Sequence, residues 1–348
     1  MDQPQKFLES KDLDFDVTRA FLVLSMVTAH VFEMFYAPDF NRHYVYYILV
    51  GFVLLSGFTV SVRYGEKVIT DPMKYLSTYL QRFLKIFGLF LICNLCIMGL
   101  FPARFQPLTN LGFLSIISAI ILGSRQAIFG FDVLIPIAFT ILLSWFLLVI
   151  RSSKWAIPAV IVFLTLLLFV EKFNVAVLNS YGIKLTFAGL IGTILGKVVG
   201  GLDWGNLTRK LQKSLALILL AAGLFLYYFG LAVLTKKGSL MILSIHVIPS
   251  IVILLFIYLA SKRAGFGSIT PVQMISSLLS KHMLFAYLFH ILVINILFSV
   301  IDEDSLDFFS SLLLSAGVLS ATIAMCHAIE IVNKRSLFAF RAYSIFFK

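Results

Sequence analysis

Long stretches of the chain are apolar with scarcely a charge, and short polar segments separate them. A helix rises about 1.5 Å per residue, so roughly 20 apolar residues cross a hydrocarbon layer about 30 Å thick. Stretches of that kind fall at about 17–36, 44–62, 83–100, 132–150, 155–171, 183–200, 211–233, 239–260, 282–300 and 306–331. The pattern predicts an all-α, polytopic integral membrane protein with about ten transmembrane helices. The stretch 110–123 is apolar but short, with Pro107 and Gly123 at its flanks, residues that end helices. It predicts one additional, non-spanning helix on the outer face. The longest hydrophilic connections are about 63–81 and 261–281. No stretch has the composition of a separate soluble domain, so residues 1–348 read as a single transmembrane domain. No internal repeat stands out, which weighs against a transporter built from inverted halves.

Composition agrees. Hydrophobic residues make up 60% of the chain and charged residues 13%, against about 45–50% and about 25% in soluble proteins. A disordered chain, a coiled coil and a nucleic-acid-binding domain are poor fits, and no nucleic-acid partner is expected. Three cysteines, at 93, 96 and 326, exclude a secreted disulfide scaffold. Cys93 and Cys96 form a C-x-x-C, but inside an apolar run, where packing is the expected role. The six histidines show no metal-ligand spacing such as HExxH, so no metal is expected.

The net charge of +11 acquires a topological meaning. Positive residues concentrate on the cytoplasmic side of membrane proteins. If 110–123 does not cross, all Lys and Arg residues except Arg42, Arg104, Arg125, Lys172, Lys184, Lys236 and Lys237 fall on one side. The expected orientation has ten spans and both termini cytoplasmic, in the plasma (inner) membrane. The acidic start MDQPQKFLESKDLDFD does not read as a signal peptide.

The first span carries the densest polar pattern, DFDVTRAFLVLSMVTAHVFEMFY. Asp16 and Arg19 are three apart near its cytoplasmic end. His30 lies eleven residues beyond Arg19, which returns to nearly the same helix face about 16 Å along the axis. Glu33 adds a carboxylate one turn further out. Two readings stay open for each. Asp16–Arg19 is either a helix-end ion pair or a phosphate anchor. His30 is either a histidine bonded across the bundle or a general base, since ionisable groups inside a span tend to mark function and imidazole accepts protons near neutral pH. Glu33 either orients that ring or extends outward to the interface. The distance between Arg19 and His30 suits a phosphorylated carrier with a long arm, such as acyl coenzyme A.

Elsewhere, Arg63, Lys67, Lys74, Arg82 and Lys85 gather on the inner side, as topology alone or as phosphate ligands. Gly189, Gly192, Gly196 and Gly200 share one stretch, the last three at GxxxG spacing, and read as close helix packing, with a ligand groove as the alternative. Ser56-Gly57 suggests close approach to the first span. Phe40-Asn41-Arg42-His43 is expected to form an outer loop. Asp132 reads as a helix cap, His246 with Pro249 as a kinked helix, and His327 with Glu330 as a local pair.

Several of these segments together resemble the membrane acyltransferase superfamily, which includes the acyltransferase-3 family, the OpgC-like glucan-modifying proteins and relatives of heparan-alpha-glucosaminide N-acetyltransferase. The resemblance is carried by Asp16-V-T-R-A-F-L-V-L-S-M-V-T-A-His30, Gly51-F-V-L-L-S-Gly57-F, Arg82-x-x-Lys85, Phe131-D-V-L-I-Pro136, Phe187-A-G-L-I-G-T-I-L-G-Lys197 and His282-M-L-F-A-Tyr287-L-F-His290. The chain departs from the acyltransferase-3 pattern at Arg19-Ala20, where Arg-Gly is frequent, and at Gln81-Arg82, where two arginines are frequent. The resemblance implies about ten spans, acyl coenzyme A as donor (acetyl-CoA the default) and a glycan or polyol acceptor on the outer face. It implies His30 as the catalytic histidine, Arg19 as the arginine before it, Arg82 and Lys85 as a basic cluster near the donor's entrance, and Tyr287 and His290 as a shared Tyr-x-x-His ending. From the residues themselves, Glu33 is the catalytic partner of His30 and Asp16 the donor-side partner of Arg19. Arg42 and His43 meet the acceptor or form an ordinary polar loop, and His290 with Tyr287 meets the acceptor or is a satisfied core histidine. The expected partners are membrane lipid, acyl-CoA and that acceptor. The expected function is transfer of an acyl group from cytoplasmic acyl-CoA to a hydroxyl of an extracytoplasmic glycan or lipid-linked sugar. A transporter or flippase is the main alternative, and a non-catalytic scaffold a third.

Overall fold

The computed structural model describes residues 13–36, 38–100, 131, 133–151, 181–200, 249–258, 260–261, 269–301 and 306–347. Among these the regular elements are α-helices: α1 (Leu13–Phe35), α2 (Pro38–Thr70), α3 (Pro72–Leu100), α4 (Leu134–Arg151) and α5 (Tyr181–Gly200). They continue with α6 (Pro249–Tyr258), α7 (Thr270–Lys281), α8 (Met283–Phe298), α9 (Phe308–Arg335) and α10 (Leu337–Phe347). The helices group into two compact units, residues 1–52 with 203–348 and residues 53–202.

In the first unit α1 packs against α7, α8 and α9. Val23, Val27, Val31 and Phe35 are fully buried and Met26 nearly so, a spacing that keeps large side chains on the packed faces of one helix. At its C-terminal end Phe32 and Tyr36 meet Phe308 edge-on at 5.4 and 5.9 Å. The backbone N–H of Leu306 also donates to the Phe35 carbonyl. The Asp307 side chain accepts from the Ser310 N–H and caps α9, and this bond holds its carboxyl below the usual range. α9 buries Ser311, Ser315, Val318, Thr322 and Cys326, three or four residues apart, and exposes Phe309, Leu313 and Val332. Small side chains inside and large apolar ones outside are the arrangement expected where lipid is the solvent. Ser315 and Thr322 each donate to the carbonyl four residues earlier, which satisfies a hydroxyl without water.

In the second unit glycines set the helix spacing. A Cβ on Gly57 would lie 1.9 Å from the Gly189 carbonyl oxygen, and one on Gly192 would lie 2.0 Å from that of Leu54. Gly196 faces the Phe58 carbonyl in the same way. The glycine-rich α5 is therefore a packing helix, as expected. The backbone that Gly57 approaches is that of α5, a partner the sequence did not indicate. α4 completes the crossing through Ser144 and Thr193, whose hydroxyls lie 2.6 Å apart. The Trp145 indole N–H donates to the Pro72 carbonyl.

The expectation of ten spans requires correction. Among the described residues four helices are long and apolar enough to cross a membrane, Phe15–Phe35, Tyr47–Thr70, Pro72–Ile97 and Phe308–Arg335, or five if one bent pair forms a single span. These four match the first three and the last of the expected stretches. The described apolar parts of α4, α5 and α6 are 10–17 residues long. The expected straight span at 282–300 is instead the second half of a pair, Thr270–Lys281 and Met283–Phe298, bent by 85°. The expected spans at 155–171 and 211–233 and the outer-face stretch at 110–123 lie outside the described residues, as do Asp132 and His246.

The expected hydrophilic connections also differ. α2 stays helical through Thr70 and α3 begins at Pro72. The Asp71 N–H donates to the Lys67 carbonyl, so the polar residues of 63–81 ride on helix extensions rather than on a loop. The end of 261–281 forms α7, with Pro271 in its first turn, where proline's missing N–H is not needed.

Candidate active site

The inner end of the candidate site is built by α1 and α7. Asp16 and Arg19, one turn apart, form an ion pair at 3.9 Å, too long for a hydrogen bond. Ser280 of α7 joins them: its hydroxyl donates to Asp16 at 2.5 Å and accepts from the Arg19 guanidinium at 3.2 Å. The guanidinium also lies 4.5 Å over the Phe15 ring. Charge, hydrogen bond and aromatic face together fix a group that a flexible chain would otherwise leave mobile.

His30 lies eleven residues further along α1 and meets α8. Its ring stacks on that of His290 with centroids 5.6 Å apart and planes 28° from parallel. His290 is fully buried, and its Nδ1 donates to the Ala286 carbonyl at 2.9 Å. A carbonyl only accepts, so the neutral ring of His290 carries its proton on Nδ1 and its lone pair on Nε2. Tyr287, one turn earlier on α8, stands edge-on to His290 at 5.7 Å. On His30 the Glu33 carboxylate lies 3.6 Å from Nδ1. That separation exceeds hydrogen-bond reach. The Nε2 atoms of both histidines are buried and have no hydrogen-bond partner among the described residues. Buried polar atoms are rarely left so.

Arg82 belongs to the second unit, where its guanidinium donates to the Tyr64 hydroxyl and lies 4.6 Å over the Tyr64 ring. Lys85 is exposed, like Arg63, Lys67 and Lys74. Arg42 and His43 are on α2 rather than in a loop, and their side chains lie outside the described residues. Cys93 and Cys96 are free thiols.

Glu330 does not form the local pair expected with His327. It accepts instead from Lys281 at 2.5 Å and from His282 Nε2 at 3.0 Å, with Lys334 at 3.4 Å. Neither Ser280 nor this cluster was legible in the sequence. Ser280 sits 264 residues from Asp16, and nothing in the composition of 261–281 links it to the first span. Among the described residues no group of three or more His, Cys, Asp or Glu side chains is placed to hold a metal.

No curated protein and no solved structure matches the chain. The family described as an acyltransferase domain, acyltransferase-3, matches it over residues 12–330. That range contains both ends of the α1 site, the stacked histidines, three of the four long apolar helices and most of the fourth. The chain is thus a membrane-embedded member of the acyltransferase-3 family.

Proposed function

We propose that the protein transfers an acyl group, by default acetyl, from cytoplasmic acyl-CoA to a hydroxyl of an extracytoplasmic glycan or lipid-linked sugar, at the plasma membrane with both termini cytoplasmic. The observation that carries the reading is the buried Nε2 of His30, stacked beside His290 and about 16 Å along α1 from the Arg19–Asp16–Ser280 cluster. Family membership favours transfer over the transport and scaffold alternatives.

In this reading Arg19 binds a phosphate of the donor, and the pantetheine arm runs along α1 toward His30. Arg82 and Lys85 are proposed as further phosphate contacts, on the chemistry of their cationic groups alone. His30 Nε2 accepts the proton of the acceptor hydroxyl as its oxygen attacks the thioester carbonyl carbon. The tetrahedral intermediate collapses, the C–S bond breaks, and the imidazolium returns the proton to the leaving thiolate. Glu33 stabilises the transient imidazolium. His290 holds the His30 ring in place and presents a second lone pair toward the acceptor, with Tyr287 behind it. Arg42 and His43 are proposed as acceptor contacts nearer the outer surface.

The test uses membranes from cells producing the full-length protein and radiolabelled acetyl-CoA. Label should appear in the carbohydrate fraction. A His30→Ala variant should bind acetyl-CoA with the wild-type dissociation constant and lose at least a hundredfold in transfer. Transfer at the wild-type rate by that variant would exclude His30 as the base.

A further inference from the structure

α7 and α8 are joined at a single residue, His282, and the two helices diverge there by 85°. Sharp helix bends usually occur at proline, glycine or a local bulge. The sequence around this one, LLSKHMLFA, has neither proline nor glycine. His282 has φ −109° and ψ 22°, away from helical values of about −63° and −42°. Its backbone still serves both helices: its N–H donates to the Leu278 carbonyl, and its carbonyl accepts from the Ala286 N–H. Neither proline, glycine nor a lost backbone bond at His282 accounts for the bend.

The His282 side chain is almost completely buried, and both of its ring nitrogens are held by other helices. Nε2 faces the Glu330 carboxylate on α9 at 3.0 Å. A carboxylate only accepts, so Nε2 carries a proton. Nδ1 lies 2.6 Å from the Tyr343 hydroxyl on α10. Burial, and secondarily Cys326 and Glu330, push the Tyr343 phenol above its usual range. The hydroxyl therefore keeps its proton, and it pairs with Nδ1. Tyr343 is fixed in turn by stacking on Phe347 at 4.9 Å, and Phe347 stands edge-on to Phe285 of α8. Lys281 and Lys334 complete the charge around Glu330.

The position of this cluster gives it consequence. Two residues before His282 is Ser280, which ties α7 to Asp16 and Arg19 of α1. Eight residues after it is His290, which stacks on His30. α7 is tied to α1 by Ser280, and α8 by the stacking of His290 on His30.

We propose that His282 is a positioning residue of the transfer reaction: clamped by Glu330 and Tyr343, it sets the direction in which α8 leaves the break and so holds His290 against His30. The inference rests on the proposed role of His30. It makes α10, far from His290 along the chain, a strut for the reacting end of the site. Loosening the clamp should shift α8 and leave α7 where Ser280 holds it. The effect should therefore fall on kcat rather than on KM for acetyl-CoA.

The experiment measures acetyl transfer from radiolabelled acetyl-CoA in membranes, with the full-length protein and four variants: Tyr343→Phe, Glu330→Gln, His290→Ala and Tyr343→Phe with His290→Ala. Tyr343→Phe should lower kcat about 3- to 10-fold, on the order of one buried hydrogen bond, with KM for acetyl-CoA within twofold. In the His290→Ala background the same substitution should cost less than twofold, because there is no longer a ring to position. If Tyr343→Phe does not fold, Glu330→Gln, which keeps an oxygen acceptor for Nε2, is read by the same two criteria. A wild-type kcat, a change confined to KM, or an equal loss with and without His290 would overturn the proposal. His30→Ala is the control. If it transfers normally, the role of His30 fails first. If it is inactive while Tyr343→Phe is unimpaired, only the positioning role of His282 fails.

Discussion

Ser280 donates to Asp16 and accepts from Arg19, and by doing so turns a long ion pair into a connected cluster. The direct contact between the charges, at 3.9 Å, would contribute little by itself near an interface. A hydroxyl that bonds to both adds more, because hydrogen bonds to charged groups are stronger than neutral ones. Ser280→Ala should leave Arg19 less constrained and raise KM for acetyl-CoA about fivefold, corresponding to about 1 kcal/mol, with kcat within twofold. An unchanged KM in a titration with radiolabelled acetyl-CoA would show that Ser280 does not order the donor's anchor. The charged partners themselves were legible in the sequence, since three-residue spacing places Asp16 and Arg19 on one helix face. The serine was not, because serine is common in polar helix ends and its partners are distant in the chain. His30 is intermediate. Its spacing from Arg19 singled it out, but its stacking on His290 is a tertiary fact.

The helices divide by how their neighbours are recognised. α2 and α5 cross where Gly57 and Gly192 remove side chains that would overlap backbone carbonyls. The GxxxG spacing of α5 carried that message in the sequence, although it did not name the partner. Gly192→Ala places a methyl 2.0 Å from the Leu54 carbonyl oxygen. Backbone cannot rotate away as a side chain can, so the helices must separate. The expected cost is about 1–3 kcal/mol, seen as a lower midpoint in thermal unfolding of the detergent-solubilised protein. A wild-type midpoint would mean that the crossing tolerates a wider gap than the structure allows. The α7–α8 break is the opposite case. Hydropathy reads 282–300 as one straight span, and no proline or glycine announces the bend at His282. His282, at the bend, pairs with Glu330 and Tyr343, side chains 48 and 61 residues away.

Across the molecule, the proposed orientation rests on the distribution of positive charge. The Glu330 end of α9 carries Lys334 and Arg335, while the opposite end follows Val300, which is 81% exposed. With cytoplasmic termini, cysteine placed at Val300 should react with a membrane-impermeant maleimide on intact cells. Cysteine placed at Lys334 should react only after the cells are opened. Each is introduced singly after the three native cysteines are replaced by alanine or serine. Labelling in the reverse order would invert the proposed orientation and put Arg19 on the side away from cytoplasmic acyl-CoA.

The sequence alone determined the class of the molecule. Its apolar stretches demand a membrane, since so much apolar surface cannot face water, and the family motifs are local strings of residues. It located α1, the long spans beside it and the α9 span for the same reason: length and hydropathy are properties of contiguous segments. Only the tertiary structure decided which apolar stretch is broken, which serine joins Asp16 to Arg19, and which aromatic neighbours His30. Those outcomes depend on hydrogen bonds and ring contacts between helices far apart in the chain. Each partner taken alone is an unremarkable serine, histidine or tyrosine, and periodicity within one segment carries no information about what lies across from it.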